Sequence, residues 1–190
     1  MDDRNFDKKS AEEWIATIES DDAKVREQDI YPHINKWIWD NDITKVVDLG
    51  SGQGICSQKI SDDTQYTGIE PSPYLLKRAQ KLYPDSKFLE GNAYQMPFED
   101  ASVEAIFSIA VWHLISNSES AAHELSRILK PGGHFLIVTA DPLHPVWKKS
   151  HDHVILRSET ELSAVWTKHN LKMTKMGAYR YFWFFEGRKV

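Results

Sequence analysis

Apolar and polar positions fall in two alternating rhythms along the chain. Short apolar runs at Val46–Leu49, Tyr66–Glu70, Lys87–Glu90, Val103–Ile109 and Phe135–Thr139 have strand length and β-branched or aromatic content. Between them, apolar residues recur at three- and four-residue spacing. Leu75, Leu76, Ala79 and Leu82 follow an N-cap Ser72 and a Pro73 at the first helical position, and Pro84 stops them. Ala122, Leu125 and Ile128-Leu129 share one face of Ser118–Leu129, which "KPGG" ends at Lys130–Gly133. Gly54 to Ile60 reads as a further helix. Ser10-Ala11-Glu12-Glu13 is a capping box that starts a helix at Ala11. A second helical stretch follows Asp22, breaks or kinks at Pro32, and continues to about Trp39. Ser158-Glu159-Thr160-Glu161 is another capping box, opening a helix that carries Leu162, Val165 and Trp166. The tail "LKMTKMGAYRYFWFFEGRK" predicts two strands joined near Gly177.

Strands that alternate with helices predict an α/β fold, a parallel sheet with helices on both faces. The turn between the last two strands is too short for a parallel crossover, so that pair is antiparallel. With 190 residues the chain suits one domain with a full core. Hydrophobic residues are 41% and charged residues 27%, ordinary for a globular protein. The net charge of −5 and the absence of a Lys/Arg run argue against nucleic acid as a partner. The longest apolar stretch, Ala105 to Ile115, is shorter than the ~20 residues that span a bilayer. A charged N-terminus without an apolar signal region and a single cysteine, Cys56, predict a cytoplasmic protein without disulfides.

The densest signal is "VVDLGSGQGICSQKI", Val46 to Ile60. Gly50, Gly52 and Gly54 stand where the first strand ends, although glycine in regular structure costs roughly 0.5–1 kcal/mol relative to alanine. Such a turn bends sharply or lies against something flat. At the carboxyl end of a central strand it makes a floor for a nucleotide-like ligand, with the N–H groups of a following helix beside it. The dinucleotide fingerprint G-x-G-x-x-G is not met, because Ile55 occupies the third glycine's place. That counts against NAD and FAD. Glu70 ends the second strand, where a carboxylate can accept two hydrogen bonds from ribose hydroxyls and repels a 2′-phosphate. "GNAYQMPF", Gly91 to Phe98, follows the third strand. Asn92 offers a donor and an acceptor to an adenine edge, with Met96 and Phe98 as apolar cover.

"VVDLGSGQG", "YTGIEPS", "GNAYQMPF", "VEAIFSIAVWHLI" and "HELSRILKPGGHFLIV" occur in this order and spacing. Together they resemble the ordered motifs of class I S-adenosylmethionine-dependent methyltransferases of the small-molecule kind, closely so over about Lys45 to Ala140. The resemblance implies a Rossmann-like, doubly wound seven-stranded sheet, mostly parallel with an antiparallel last strand. It implies one domain over 1–190, with a helical lid at 1–42, a cofactor core at 43–140 and a substrate side at 141–190. Asp48 and the turn Gly50, Ser51, Gly52 and Gly54 would contact the methionine part of S-adenosylmethionine. Glu70 would hold the ribose, with Pro71 beside the adenine. Asn92 stands where the family has Asp, so its amide oxygen would meet the adenine amino group, next to Ala93. Ile109 and Ala110 would line the cofactor.

Methyl transfer from a sulfonium is an in-line displacement in which orientation contributes ~7–11 kcal/mol. A general base is needed only for a poorly acidic acceptor. His113, just after the fourth strand, is the first candidate, set against a half-buried histidine with no chemical role. His33, Tyr31, Asp141 and His144 are weaker candidates, and Asp141-Pro142 also reads as a turn. His151-Asp152-His153 suits a solvated loop better than a metal, so no metal is expected. Cys56, Trp37 and the aromatics of "YFWFFEG" read as core, while Trp14, Trp112 and Trp147 fall in segments expected over the active face. Arg26 is either a partner for the cofactor carboxylate or a solvated helix charge. The expected activity is methyl transfer to a small-molecule acceptor. The alternatives are a protein or nucleic-acid methylase, a non-catalytic cofactor-binding or accessory protein, and a nucleotide-dependent oxidoreductase that Ile55 disfavours. Neither the acceptor nor the oligomeric state is written in the motifs.

Overall fold

The computed structural model describes residues 8–18, 21–148 and 154–190. Helices α1 (Lys8–Ile18) and α2 (Asp21–Val25) lead through a π-helical turn, Arg26–Ile30, into α3 (Tyr31–Asp40). Then come β1 (Lys45–Leu49), a 3-10 turn (Ile55–Gln58), β2 (Gln65–Glu70), α4 (Pro73–Leu82), β3 (Lys87–Glu90) and β4 (Val103–Ile109). A second 3-10 turn (Trp112–Leu114), α5 (Ser118–Ile128), β5 (Leu129–Ala140) and α6 (Pro145–Lys148) follow, then α7 (Glu159–Lys168), β6 (Leu171–Tyr179) and β7 (Phe182–Lys189).

The seven strands form one sheet in the order β3-β2-β1-β4-β5-β7-β6. The first five pair in parallel, and β7 lies antiparallel between β5 and β6. The expected mostly parallel sheet with an antiparallel last strand is therefore present. From β1 the chain steps outward to β2 and β3, then returns to lay β4 on β1's other side. That reversal opens a crevice at the carboxyl ends of β1 and β4. A Cβ built on Gly50, after β1, would lie 2.3 Å from Cγ2 of Val111, after β4, so the two strand ends are nearly in contact.

Both faces of the sheet are covered. On one, Ile34, Trp37 and Ile38 of α3 pack with Leu76 and Ala79 of α4 over Val46, Phe107, Leu136 and Phe184. On the other, α5 and α7 pack Leu125, Ile128, Leu162 and Trp166 over Val47, Ile106, Phe135 and Phe185. Central strands buried on both faces are apolar over most of their length, which is why Phe135–Val138 of β5 reads as an unbroken run. Cys56, Trp37 and the "FWFF" residues are core as expected. Trp112 is core as well, edge-on to Trp166 with ring centroids 5.6 Å apart, and not part of the active face.

Five elements depart from the sequence reading. The first helix begins at Lys8, so Ser10 lies inside it, where Lys8–Glu12 and Lys9–Glu13 spacing supports the early turns. Pro32 does not break the helix. Its missing N–H and its ring relax the turn before it into π geometry, with the Tyr31 N–H reaching back to the Arg26 carbonyl. The helix expected over Gly54–Ile60 is only the four-residue 3-10 turn, because Gly54 is left-handed (φ 87°) and Ser61-Asp62-Asp63-Thr64 turns the chain at once. The final hairpin turns at Arg180–Tyr181 and not near Gly177, which pairs with Phe184 inside the ladder. β5 also starts early, at Leu129. The "KPGG" residues enter the strand, and a bulge opposite Val103–Ala105 absorbs them.

Candidate functional site

The glycine turn is shaped by hydrogen bonds within the chain. Gly50 and Ser51 donate their N–H groups to the Ile69 carbonyl at 2.8 and 3.0 Å. Gly52 N–H donates to Oε2 of Glu70 at 2.8 Å, and Gly54 N–H to the Ser51 carbonyl at 3.0 Å. All three glycines have positive φ, of 79°, 58° and 87°, which explains the residue type. The turn is thus both a sharp bend and a flat floor. Its N–H groups at these four positions are spent, and the helix expected to follow is missing. A phosphate cradle of the kind that holds dinucleotides is not what this turn builds. Gly54 faces away from the crevice, towards Phe88 and Ala79, and serves packing.

Glu70 is the anchor of the crevice. Besides Gly52, it accepts the Ser72 N–H on Oε1 at 2.9 Å, while Ser72 Oγ caps α4. The carboxyl is 4% exposed, and burial pushes its pKa up to about 7 against the pull of the two backbone donors. A carboxylate has about four acceptor positions, so two remain for a ligand. Asp48 lies one strand over, buried, accepting the Tyr66 hydroxyl at 2.6 Å on Oδ2. Burial raises its pKa to about 6, opposed by Tyr66, Cys56 and Arg26. The neighbouring Tyr31 and Cys56 are held neutral, both pushed up by burial.

Around the glycine turn are two adjoining chambers. The first, about 60 Å³, is mainly apolar. Ile109, Ala110 and Leu114 line it with Pro71, Ala93 and the carboxyl of Glu70. The second, about 20 Å³, is polar, with Arg26, Tyr31, Asp48, Ser51, Gln53 and Cys56 on its walls. Arg26 is 9% exposed, and its Nε has no hydrogen-bond acceptor among the described residues. A solvated helix charge is therefore not what it is. The π turn rotates it inward, where a charge without a matching acceptor is costly. Trp14, from α1, borders both chambers.

Of the residues singled out from sequence, Gly50, Gly52, Glu70, Pro71, Asn92, Ala93, Ile109 and Ala110 line the first chamber. Asp48, Ser51, Gly50 and Ile109 line the second. Gly54 and His113 line neither. Asn92 is placed as expected but its oxygen is not free. Oδ1 accepts the N–H groups of Tyr94 (2.8 Å) and Gln95 (3.1 Å), closing its own turn and leaving the amide nitrogen for a ligand. Ala110 holds a left-handed φ of 59°, an uncommon conformation for alanine, at the lip of the crevice.

His113 is 5% exposed, beneath the Trp147 ring at a centroid distance of 5.0 Å. Its Nδ1 accepts the Ala140 N–H at 3.1 Å and lies 3.3 Å from Thr139 Oγ1. An accepting Nδ1 puts the proton of a neutral ring on Nε2. His33 pairs with Glu186 at 3.0 Å, away from both chambers. Asp141 makes a turn, its Oδ1 accepting the Leu143 N–H, and His144 accepts the Val146 N–H locally. No group of three potential metal ligands occurs among the described residues, and His151, Asp152 and His153 lie outside them. Leu49, Leu75 and Leu114 were not foreseen as lining residues, since apolar positions in regular spacing read as core.

Residues 47–137 match the family model of the methyltransferase domain. The demethylmenaquinone methyltransferase of Chlorobaculum tepidum is 34% identical over 111 residues, 55% of this chain and 45% of that protein. Malonyl-[acyl-carrier protein] O-methyltransferase 1 of Coxiella burnetii is 32% identical over 117 residues, 57% of this chain and 40% of that protein. Both matches span less than half of the relative's own length. A SAM-dependent methyltransferase from Aquifex aeolicus shares the fold with a TM-score of 0.73 at 17% identity, covering 97% of this chain and 100% of that one. No helix among the described residues is long and apolar enough to cross a membrane.

Proposed function

We propose that this chain, a class I S-adenosylmethionine-dependent methyltransferase by its domain and its fold, binds that cofactor across both chambers and methylates a small molecule. The observation that carries the reading is the division of polarity. The first chamber offers apolar walls and one carboxylate with free acceptor positions, which suits a nucleoside and its diol. The second offers a buried cation and a buried acid, Arg26 and Asp48, which suits an α-carboxylate and an α-ammonium. An aminoacyl-like tail joined to a nucleoside meets both sets of groups. A dinucleotide fits less well, because the N–H groups of Gly50, Ser51, Gly52 and Gly54 already have acceptors within the chain and cannot turn to a pyrophosphate.

When bound, the cofactor supplies the methyl group and the leaving group. The chain's residues align and dehydrate. Gly50 and Gly52 let the ligand approach the backbone, Glu70 fixes the ribose, Asn92 and Ala93 border the adenine with Pro71, and Ile109 and Ala110 close the sulfur side. In this reading residues 1–42 cover the cofactor, 43–140 hold it, and 141–190 shape the acceptor side. His113 is a positioning residue: it ties the loop after β4 to the end of β5 through Ala140. Among the described residues Glu70 is the one acidic or basic side chain on the first chamber, and it is committed to two backbone donors. An acceptor whose nucleophile is already ionised near neutral pH would need no further base there. The relatives' names, a demethylmenaquinone methyltransferase and a malonyl-[acyl-carrier protein] O-methyltransferase, support a small organic acceptor group. The single buried cysteine suits the cytoplasm.

Calorimetric titration with S-adenosylmethionine, S-adenosylhomocysteine and NAD tests the reading. Micromolar binding of the first two and none of NAD is expected. Failure of both sulfur ligands to bind would overturn it. Slow consumption of the cofactor with ionisable acceptors separates an enzyme from a non-catalytic binder.

A further inference from the structure

Gly50, Ile109 and Trp14 border both chambers. The first two belong to strand ends, but Trp14 comes from α1. A Cβ built on Gly52 would lie 2.4 and 2.9 Å from carbons of the Trp14 ring, so the indole lies directly on the bare backbone of the glycine turn. The flat object against Gly52 is the chain's own tryptophan. Its ring stands between an apolar chamber of about 60 Å³ and a polar one of about 20 Å³. Pockets that bury small ligands run to roughly 300–1,000 Å³. A ligand that reaches from Glu70 to Arg26 runs along the glycine turn on which the indole lies.

The element carrying Trp14 is lightly held. Ala11 and Ile15 pack on Leu75 in a cluster of three buried residues, with Tyr74 alongside. An exposed hydrogen bond, Tyr74 hydroxyl to Glu12 Oε1 at 3.1 Å, adds to it among the described residues. The two main cores contain none of the α1 residues. Elements with few buried contacts open at far lower free energy than the core.

We propose that Trp14 is a gate on the cofactor site. With α1 seated on Leu75 the indole lies on Gly52, and the cofactor enters only when α1 lifts off. The inference rests on the cofactor reading above. If the open form is a minor state, apparent affinity is reduced by its population. Trp14→Ala removes the obstruction, and S-adenosylhomocysteine should then bind roughly tenfold more tightly. Ile15→Ser keeps the indole but loosens the α1 contact, and should move affinity the same way by less.

The experiment is calorimetry and stopped-flow binding of S-adenosylhomocysteine to the full chain and both variants. The gate predicts tighter binding in both variants. It also predicts an observed association rate that levels off with ligand concentration in the parent chain and rises linearly in Trp14→Ala. Unchanged or weaker binding in Trp14→Ala, with the parent chain binding normally, would overturn the gate alone and make the indole a cover that touches the ligand. No binding to any of the three chains would overturn the cofactor reading and the gate with it.

Discussion

The two sides of the crevice are built by different means. On the β1–β2 side, ionisable groups are held by strand ends and backbone: Glu70 by Gly52 and Ser72, Asp48 by Tyr66. On the β4–β5 side the loops are fixed by rings and carbonyls. His113 sits under Trp147, and Arg157 reaches the carbonyls of Ile115 and Ser116 at 2.7 and 3.2 Å. The first arrangement depends on a few residue types at fixed offsets and suits one ligand. The second depends on which side chains happen to meet, so it can change without disturbing the sheet. A shared cofactor and a chain-specific acceptor call for that division.

The sharpest way to break the comparison is at Arg26. Arg26→Met removes a buried cation with an unsatisfied Nε. On the reading above it costs about 2–5 kcal/mol of S-adenosylhomocysteine affinity, the range for losing one partner of a buried charged pair. The chain without ligand should change little in a thermal melt, because the desolvation cost of the buried cation is removed together with its attraction to Asp48. Loss of stability together with unchanged affinity would show that Arg26 belongs to the fold and not to the site.

Next in size is the pH dependence of the first side. Asp48 and Glu70 have folded pKa values raised to about 6 and about 7, above the ordinary 3.8 and 4.5. Between about pH 4 and pH 7 the folded chain therefore retains protons that the unfolded chain has released. Stability from these groups is greatest at the acid end and is lost as pH rises through 6 to 7, by a few kcal/mol in all. Urea melts at pH 5 and pH 8 measure it. Ligand binding should run the opposite way, strengthening as Glu70 ionises. A stability curve that climbs with pH across this window would remove both carboxyls from the buried, electrostatically costly class.

The same asymmetry decided what could be read from sequence. The β1–β2 side was legible, since Gly50, Gly52 and Glu70 stand at fixed distances from a strand whose apolar run is unmistakable. The strands themselves were legible for the same reason, β3 and β4 to the residue. Arg26 was legible only as one of two alternatives, because helical periodicity places charged residues outward, and the π turn ahead of Pro32 rotates it in. Asn92 lines the first chamber, but its oxygen accepts N–H groups two and three residues on, which the motif does not report. The partner of His113 is the amide of Ala140, which only tertiary pairing of β4 with β5 brings near. The indole on Gly52 comes from a helix 38 positions upstream, and no local pattern reports it.

His113 sharpens the comparison from the other side. Replacing it with phenylalanine leaves the buried Ala140 N–H without an acceptor, at a cost of about 1–3 kcal/mol in stability. His113→Asn offers an amide oxygen in place of Nδ1 and should recover part of that loss. Cofactor affinity should hold in both variants. Once an acceptor is known, the pH–rate profile of His113→Asn should keep its shape. Loss of an acid limb near the histidine range would instead make the ring a general base.

The smallest expected effect lies at Tyr66, whose hydroxyl is one of the few donors to Asp48. Tyr66→Phe removes a bond that favours the ionised carboxyl, so the Asp48 pKa should climb further above its raised value. The cost should be about 1 kcal/mol at pH 8, where the parent carboxyl is ionised, and much less at pH 5, where it is already protonated. Melting both chains at the two pH values gives the difference directly. A penalty equal at both would mean that the hydroxyl matters for packing only, and that Asp48 is neutral across the range. The second chamber would then hold a cation without an acid, and an amino-acid tail would have nothing to place its ammonium against.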